Sequence, residues 1–482
     1  MNLNEYAHYD ALGLAELVAN KEVTPRELAA TAKRALDAIN TEVNAVVEIY
    51  DDRIEDLDES TLGDGPFKGV PFLIKDTGEH GVGRKIEFGS RLCQGMKVRE
   101  KTYLCDLFTA AGLNILGRTN TPEYSMSGAS ENALYGATST PWKKGYCAGG
   151  SSGGSAAAVV AGIVPMAHGT DIAGSIRMPG SWCGGIGLKP SRGRVSFGPG
   201  LDENGFGLAV ALAQTKSVRD TAAILDCVAI PQTGDPFLIP HPDQTYADLL
   251  KPPPGKLKIG WSVEPLMGVA TDPEIKKAVE DTARVLEDMG HEVCEDGPSY
   301  DGLATVRKFS DVWFFGFDRR LRGYSQRSGH KISPDTLEPV VWHIYQHACK
   351  LTADEFLSGV AEINRARRKL CTFYDDYDIW LSPTTPRISE PHGIYNLGRT
   401  DVDMNNYVEE ILAAPAQFTV PHNIMATPAI TLPLAMHSTG LPIGIQLGAR
   451  FANEHILLAL AAALEQALPW KDRTPPLHVS NV

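Results

Sequence analysis

Val70-Pro71-Phe72-Leu73-Ile74-Lys75-Asp76 runs five apolar residues into two charged ones. So short and bulky a run reads as a buried strand with polar residues at its tip. Downstream, Thr102 to Ala111 fits a helix closed by Gly112, and Asn114-Ile115-Leu116-Gly117 fits a second strand. The pattern repeats later: strand Leu257 to Trp261, a helix from Asp272-Pro273 to Gly290, strand Glu292-Val293-Cys294. Asp378-Ile379-Trp380-Leu381 and Pro442 to Leu447 read as further strands, and Asn453 to Leu468 as a closing amphipathic helix. Alternating helix and strand argue for an α/β sheet fold.

Upstream, Thr24-Pro25-Arg26-Glu27 is a helix start, with Thr as cap, Pro in the first turn and Glu at the capping-box position. Leu28, Ala32, Leu36 and Ile39 follow at helical spacing, so the first sixty residues read as helical. Residues 300 to 375 also read as mostly helical, with many aromatics and arginines. Pro252-Pro253-Pro254 is the best linker candidate, although the strand after it could join the same sheet.

The bulk numbers weigh against some functions. A net charge of −14 argues against a nucleic-acid backbone as partner. The eight cysteines are scattered without a CxxC pair, which suits buried free thiols in a reducing cytoplasm. Met1 to Ala19 lacks the basic-then-apolar order of a signal peptide. The longest apolar stretch, Ala156 to Ala167, is too short to span a bilayer. A cytoplasmic protein without a membrane anchor is expected.

From Ala148 to Gly200 glycine is dense, so backbone there must approach something closely or adopt positive φ. The stretch holds Gly149-Gly150-Ser151-Ser152-Gly153-Gly154-Ser155 and then Gly169-Thr170-Asp171-Ile172-Ala173-Gly174-Ser175-Ile176-Arg177. A serine hydroxyl is a weak nucleophile and needs a base. Lys75, after an apolar strand, could serve when burial favours its neutral form, whereas Asp76 would oppose this if it faced the amine. A second serine can relay the proton. The turn Ile172 to Ser175 can offer successive N–H groups to an oxyanion, each such donor contributing on the order of 10²–10³ in rate.

These segments resemble the amidase-signature family. The family pattern continues at Cys183-Gly184-Gly185-Ile186-Gly187-Leu188-Lys189-Pro190, at Leu116 to Glu123, at Ser382-Pro383-Thr384, at Thr427 to Ile430 and at Gly440 to Gln446. The resemblance covers nearly the whole chain. It implies one large α/β domain over 1–482, a mixed twisted central sheet covered by helices. Within it, 1–60 form a helical N-terminal part, 61–200 the catalytic core, and 300–420 a variable substrate-binding segment. Specificity is expected in 192–215 and 300–420. The resemblance implies Ser175 as nucleophile, Ser151 as relay held by a cis peptide, and Lys75 as base. It implies oxyanion donors at Ile172, Ala173, Gly174 and Ser175. Ser152, Thr170 and Met126 are implied to bind substrate, and Arg177 to shape the site. No metal and no organic cofactor is implied. The implied partner is a small amide or carbamate, for a monomer or homodimer, with no nucleic acid and no membrane.

The chain departs from the pattern at Ala173, where the family has Gly. Alanine fits only with negative φ or an adjusted turn, and its methyl would narrow the acyl pocket. Family members that hydrolyse cyclic nylon oligomers share Asp-x-Ala-Gly-Ser and the Ala-Leu-Pro-Trp tail, here Ala467 to Trp470. That draws the substrate expectation toward unusual amides and carbamates. Ser181-Trp182 and Pro421-His422-Asn423 are further departures, expected to tune the pocket.

Other readings compete. Gly150 to Gly154 also fits the G-x-S-x-G elbow with Ser152 as nucleophile, but Lys143 to Cys147 does not read as the strand that elbow requires. His343 and His347 have the spacing of helical metal ligands but read as packing residues. Trp313-Phe314-Phe315 and Phe317 suit either a cleft or the core. Arg365, Arg367, Arg368 and Lys369 read as a solvated helix face. The family also supplies the glutaminase subunit of a tRNA-dependent amidotransferase. A catalytically dead binding protein is disfavoured because all three catalytic side chains are present.

Overall fold

The apolar runs become the middle of one sheet. A computed structural model describes residues 1–78, 80–251 and 255–482. Its main sheet has eleven strands: β1 Val46–Ile49, β2 Pro71–Lys75, β3 Asn114–Thr119, β4 Met166–Asp171, β5 Ile186–Lys189, β6 Val210–Thr215, β7 Lys258–Trp261, β8 Glu292–Glu295, β9 Ile379–Pro383, β10 Ala429–Met436 and β11 Pro442–Ala449. Their spatial order is β1-β3-β2-β4-β6-β5-β10-β11-β9-β7-β8. Strand β2 runs parallel to β3 and β4, whereas β4, β6, β5, β10, β11 and β9 pair antiparallel in turn. The sheet is therefore mixed, as the resemblance implied. Every residue of β2, β5, β9 and β11 is buried, because helices cover both faces and leave no solvated side to alternate with.

Local sequence sets the helix ends. Thr24 accepts the Glu27 N–H at 3.2 Å, and the Glu27 carboxylate takes the Thr24 N–H at 2.8 Å. This capping box opens the helix Pro25–Val43, whose Leu28, Ala32, Leu36 and Ile39 are all buried. A cap of this kind contributes about 1 kcal/mol. Residues 1–60 are not wholly helical, however: Val46–Ile49 forms the edge strand β1 on β3. At the other edge β8 flanks Val293 and Cys294 with the exposed Glu292 and Glu295, and charge on an edge discourages further pairing. The β7–helix–β8 unit joins the same sheet through β9. Pro252-Pro253-Pro254, expected as a linker, lies outside the described residues.

Among the described residues no two cysteines are joined by a disulfide. Only Cys93, Cys105, Cys147 and Cys183 are buried, and Cys349 is exposed on the helical layer, so the expectation of buried thiols holds for half of them. Among the described residues, no helix is long and apolar enough to cross a membrane.

Candidate active site

Strand β2 carries Lys75 to its carboxyl end, where open α/β sheets place their sites. The side chain is wholly buried. Its Nζ donates to Ser151 Oγ at 2.7 Å and to Thr170 Oγ1, on the neighbouring strand β4, at 2.8 Å. Asp76, whose direction the sequence left open, turns to Arg118. Its carboxylate lies 3.1 Å from Arg118 Nη1 and accepts the N–H groups of Glu87 at 2.8 Å and Gly89 at 3.2 Å.

The glycine loop brings Ser151 to this amine. The Gly150–Ser151 peptide is cis. The Ser151 carbonyl accepts Thr121 Oγ1 at 2.9 Å and Ser130 Oγ at 3.2 Å. The glycines mark close approach: a Cβ on Gly150 would lie 2.6 Å from Ala129 N, and one on Gly154 would lie 2.4 Å from Asn120 N. No strand precedes Ser152, which removes the elbow reading. Ser152, expected to bind substrate, does not line the cavity described below. Its hydroxyl is wholly buried, donating to the Thr170 carbonyl and accepting the Thr170 N–H, both at 3.3 Å, and it locks the loop to β4.

Ser175 sits on the turn that follows β4. Asp171, the last residue of that strand, organises it. One carboxylate oxygen accepts the Gly174 N–H at 2.8 Å, and the other accepts the Ile176 N–H at 3.2 Å. Arg177 grips the same carboxylate with Nε and Nη2, both at 2.9 Å. The pair is fully buried. Burial alone would raise the Asp171 carboxyl, but the adjacent Arg177 charge and hydrogen bonds bring it down to about 2. Arg177 also reaches the Thr419 carbonyl and Gln446 Oε1, each at 2.8 Å, and Asn423 Oδ1 at 2.7 Å.

Positive φ falls on Gly174, at +123°, and not on Ala173. Alanine is therefore tolerated at 173. Its methyl packs in the apolar cluster of Met126, Met178 and Leu208 and does not line the cavity, so it does not narrow the pocket directly. Among the described residues no acceptor takes the N–H of Ile172, Ala173 or Ser175. Gly174 departs from expectation, because Asp171 holds its N–H.

Ser151 and Ser175 open on one cavity of about 430 Å³. Thr170, Ile172 and Met126 line it, as do Phe197, Pro199, Gly200, Leu201 and Asn204 from the first variable segment and Trp313 and Phe317 from the second. Sequence reading missed one wall. Phe88 stacks on Tyr324 with ring centroids 5.0 Å apart, and Tyr124 meets Phe317 edge-on at 5.3 Å. Phe88 lies in a loop without periodicity, and Tyr124 follows directly on the Leu116–Glu123 motif, which was the available signal. Phe314 belongs to the core. Trp182 and His422 do not reach the cavity, contrary to expectation. Trp182 is tied to the Arg387 carbonyl at 3.0 Å, and His422 packs on Trp380. His347 faces Asp311 at 3.0 Å. Arg365, Arg368 and Lys369 are exposed, while Arg367 donates to the Ile424 carbonyl at 2.7 Å.

Phe88, Tyr124 and Ser125 all have left-handed backbone, with φ of +52°, +50° and +62°. Such conformations cost on the order of 1–3 kcal/mol each outside glycine and persist only when surroundings fix them. Buried Glu123 fixes this one: it accepts the Ser90 hydroxyl and the Glu338 N–H, the latter at 2.8 Å. Burial, then the charge of Glu338, pushes the Glu123 carboxyl up to about 8, and burial pushes Glu338 to about 7. A raised carboxyl means the fold prefers the protonated acid. Its stabilisation is complete below the ordinary value of 4.5 and is lost as pH climbs through the folded values. Melting temperature is therefore expected to fall from about pH 5 to about pH 9. Glu123→Gln, which mimics the neutral acid, should flatten that slope in a thermal scan; an unchanged slope would contradict the assignment.

The family model described as Amidase matches residues 27–458. The chain is 35% identical over 481 residues to the 6-aminohexanoate-cyclic-dimer hydrolase of Paenarthrobacter ureafaciens, covering 97% of this chain and 96% of that one. It is 32% identical over 476 residues to the acylamidase of Rhodococcus erythropolis, covering 96% of each. The solved structure of a 6-aminohexanoate cyclic dimer hydrolase complexed with substrate superposes with a TM-score of 0.91 at 34% identity, covering 98% of this chain and 99% of that one.

Proposed function

The chain belongs to the amidase family, and from that premise we propose that it is a serine amidohydrolase cleaving the C–N bond of a small hydrophobic amide through an acyl-enzyme. The observation that carries this reading is the Lys75–Ser151 hydrogen bond of 2.7 Å at a cavity onto which Ser175 also opens. Ser175 Oγ attacks the amide carbonyl carbon, and neutral Lys75 receives its proton through Ser151. The carbonyl oxygen becomes an oxyanion facing the N–H groups of Ile172, Ala173 and Ser175. The C–N bond then breaks, and the amine leaves with the proton returned through Ser151. Water, deprotonated along the same path, attacks the Ser175 ester and releases the acid.

Six aromatic side chains along the cavity favour aryl or long aliphatic groups over a small polar amide. Relatives named for a cyclic aminohexanoate dimer and for acylamides make aliphatic and cyclic amides the first class to test, with aryl amides, carbamates and esters beside them. A fluorophosphonate probe, which phosphonylates activated serines, is expected to leave one adduct, on the peptide bearing Ser175. An adduct on Ser152 would overturn the mechanism. In the same preparation the isolated chain should hydrolyse a hydrophobic anilide and leave glutamine intact; the reverse outcome would support the glutaminase reading instead.

A further inference from the structure

The helix Phe317–Ser328 begins afresh at Gly316, whose φ of +73° breaks it from the preceding helix. Phe317, Arg320 and Tyr324 follow at spacings of three and four, so they share one face. All three line the cavity. Arg320 is exposed at the mouth, its guanidinium carbon 5.5 Å from the centre of the Phe317 ring.

Three other basic residues of this helix and the cavity rim are engaged. Arg322 pairs with Asp318 at 2.7 Å, and Arg327 donates to the Lys97 carbonyl at 2.8 Å. Lys101, also lining the cavity, pairs with Asp106 at 3.1 Å. Among the described residues no carboxylate lies within ion-pair distance of Arg320, and Glu100, the one acid lining the cavity, is beyond it. The chain carries 59 acidic residues against 45 lysines and arginines. Arg320, which has no acid of its own, lines a cavity that carries six aromatic rings, so it is placed to meet an anion that arrives with the substrate.

We propose that Arg320 receives a carboxylate carried on one arm of the amide substrate, an inference that rests on the reading that this cavity takes the substrate. The amide bond lies at Ser175, the hydrophobic part of the arm lies along Phe88, Tyr124, Tyr324 and Phe317, and the carboxylate ends at the guanidinium. The planar fork of arginine suits a carboxylate in bidentate fashion, which an uncharged chain end cannot exploit. Because the site is open to solvent, the preference is modest and falls with added salt.

The test compares anilides matched in size. Pentanoyl and glutaryl p-nitroanilide differ in a terminal carboxylate on the acyl arm. Butyranilide and 4-butyramidobenzoate differ likewise on the amine arm. The ratio of kcat/KM for the charged over the neutral member is internal to each preparation, so partial misfolding of a variant does not distort it. In one of the two pairs Arg320→Gln should lower that ratio about fivefold, the size of a solvent-exposed ion pair. Arg320→Lys should restore part of it, and raised salt should shrink the wild-type ratio. Calorimetric binding of 4-phenylbutyrate against 4-phenylbutanol needs no turnover and should show the same loss. Ratios unchanged by Arg320→Gln in both pairs and in calorimetry overturn the inference. A wild type that binds phenylbutyrate through Arg320 yet cleaves no amide would sink the proposed reaction and leave this inference standing.

Discussion

Ser175→Ala is expected to reduce amide turnover by about 10⁴-fold or more while leaving the fold intact. Removing the nucleophile of a serine hydrolase costs on the order of 10⁶ in kcat, and the residue of rate left comes from oxyanion donors and binding. Here the stability side is equally specific. The Ser175 hydroxyl has no hydrogen-bond partner among the described residues, and the residue is nearly buried on a turn held by Asp171. Alanine removes one oxygen and leaves that frame untouched, so the melting temperature should stay within a few degrees. The informative measurement is the pair, kcat for an anilide together with a thermal scan. Activity within tenfold of wild type in a folded Ser175→Ala protein would exclude Ser175 as the acylated group.

Asp171→Ala should do the opposite, damaging fold and rate together. It leaves the Arg177 guanidinium buried without its counter-charge, and breaking one side of such a pair costs about 3–5 kcal/mol. It also releases the Gly174 and Ile176 N–H groups that shape the turn, so turnover by the protein that still folds should fall by on the order of 10²–10³. Denaturant titration reads the first effect, and kcat per folded molecule the second. The acid limb of stability carries the same signature. A carboxyl held at about 2, below its ordinary 3.8, contributes stability that is present at neutral pH and disappears as pH falls through that interval. In Asp171→Ala this part of the acid transition should be missing. A variant as stable as wild type would mean that Arg177 finds another anion or water, and the account of the turn would fail.

Legibility followed the physics of each element. Strands β2, β3, β7, β9 and β11 could be read because short, largely apolar stretches have few other uses in a folded chain, and β8 from its place directly after a helix that ends at Gly290. Strand β4 could not: Met166-Ala167-His168-Gly169-Thr170-Asp171 is half polar, and its burial rests on tertiary partners that lie far off in sequence. The residues brought together at the cavity, Lys75, Ser151, Thr170 and Ser175, were all identified from their motifs. Their supports were harder to read. Ser152 looked like a substrate contact because a serine in a glycine loop carries no sign of which backbone it will bond. Gly174 looked like an oxyanion donor because nothing local says that Asp171, three residues back, will take its N–H. The aromatic wall escaped because Phe88 and Tyr124 sit in left-handed turns, where no period of two or 3.6 applies.

The clamp on Arg177 has a bearing on when the enzyme can work. Lys75, Ser151 and Ser175 are all synthesised within the first 175 residues, yet Arg177 is held by Thr419, Asn423 and Gln446, the last of them 269 positions later. At ribosomal speeds of about 5–20 residues per second, that separation is on the order of 10–50 s of elongation. On the proposed reading, a nascent chain carries Ser175 for that whole interval before the later segments arrive to hold its turn, and it is expected to hydrolyse no amide until they do.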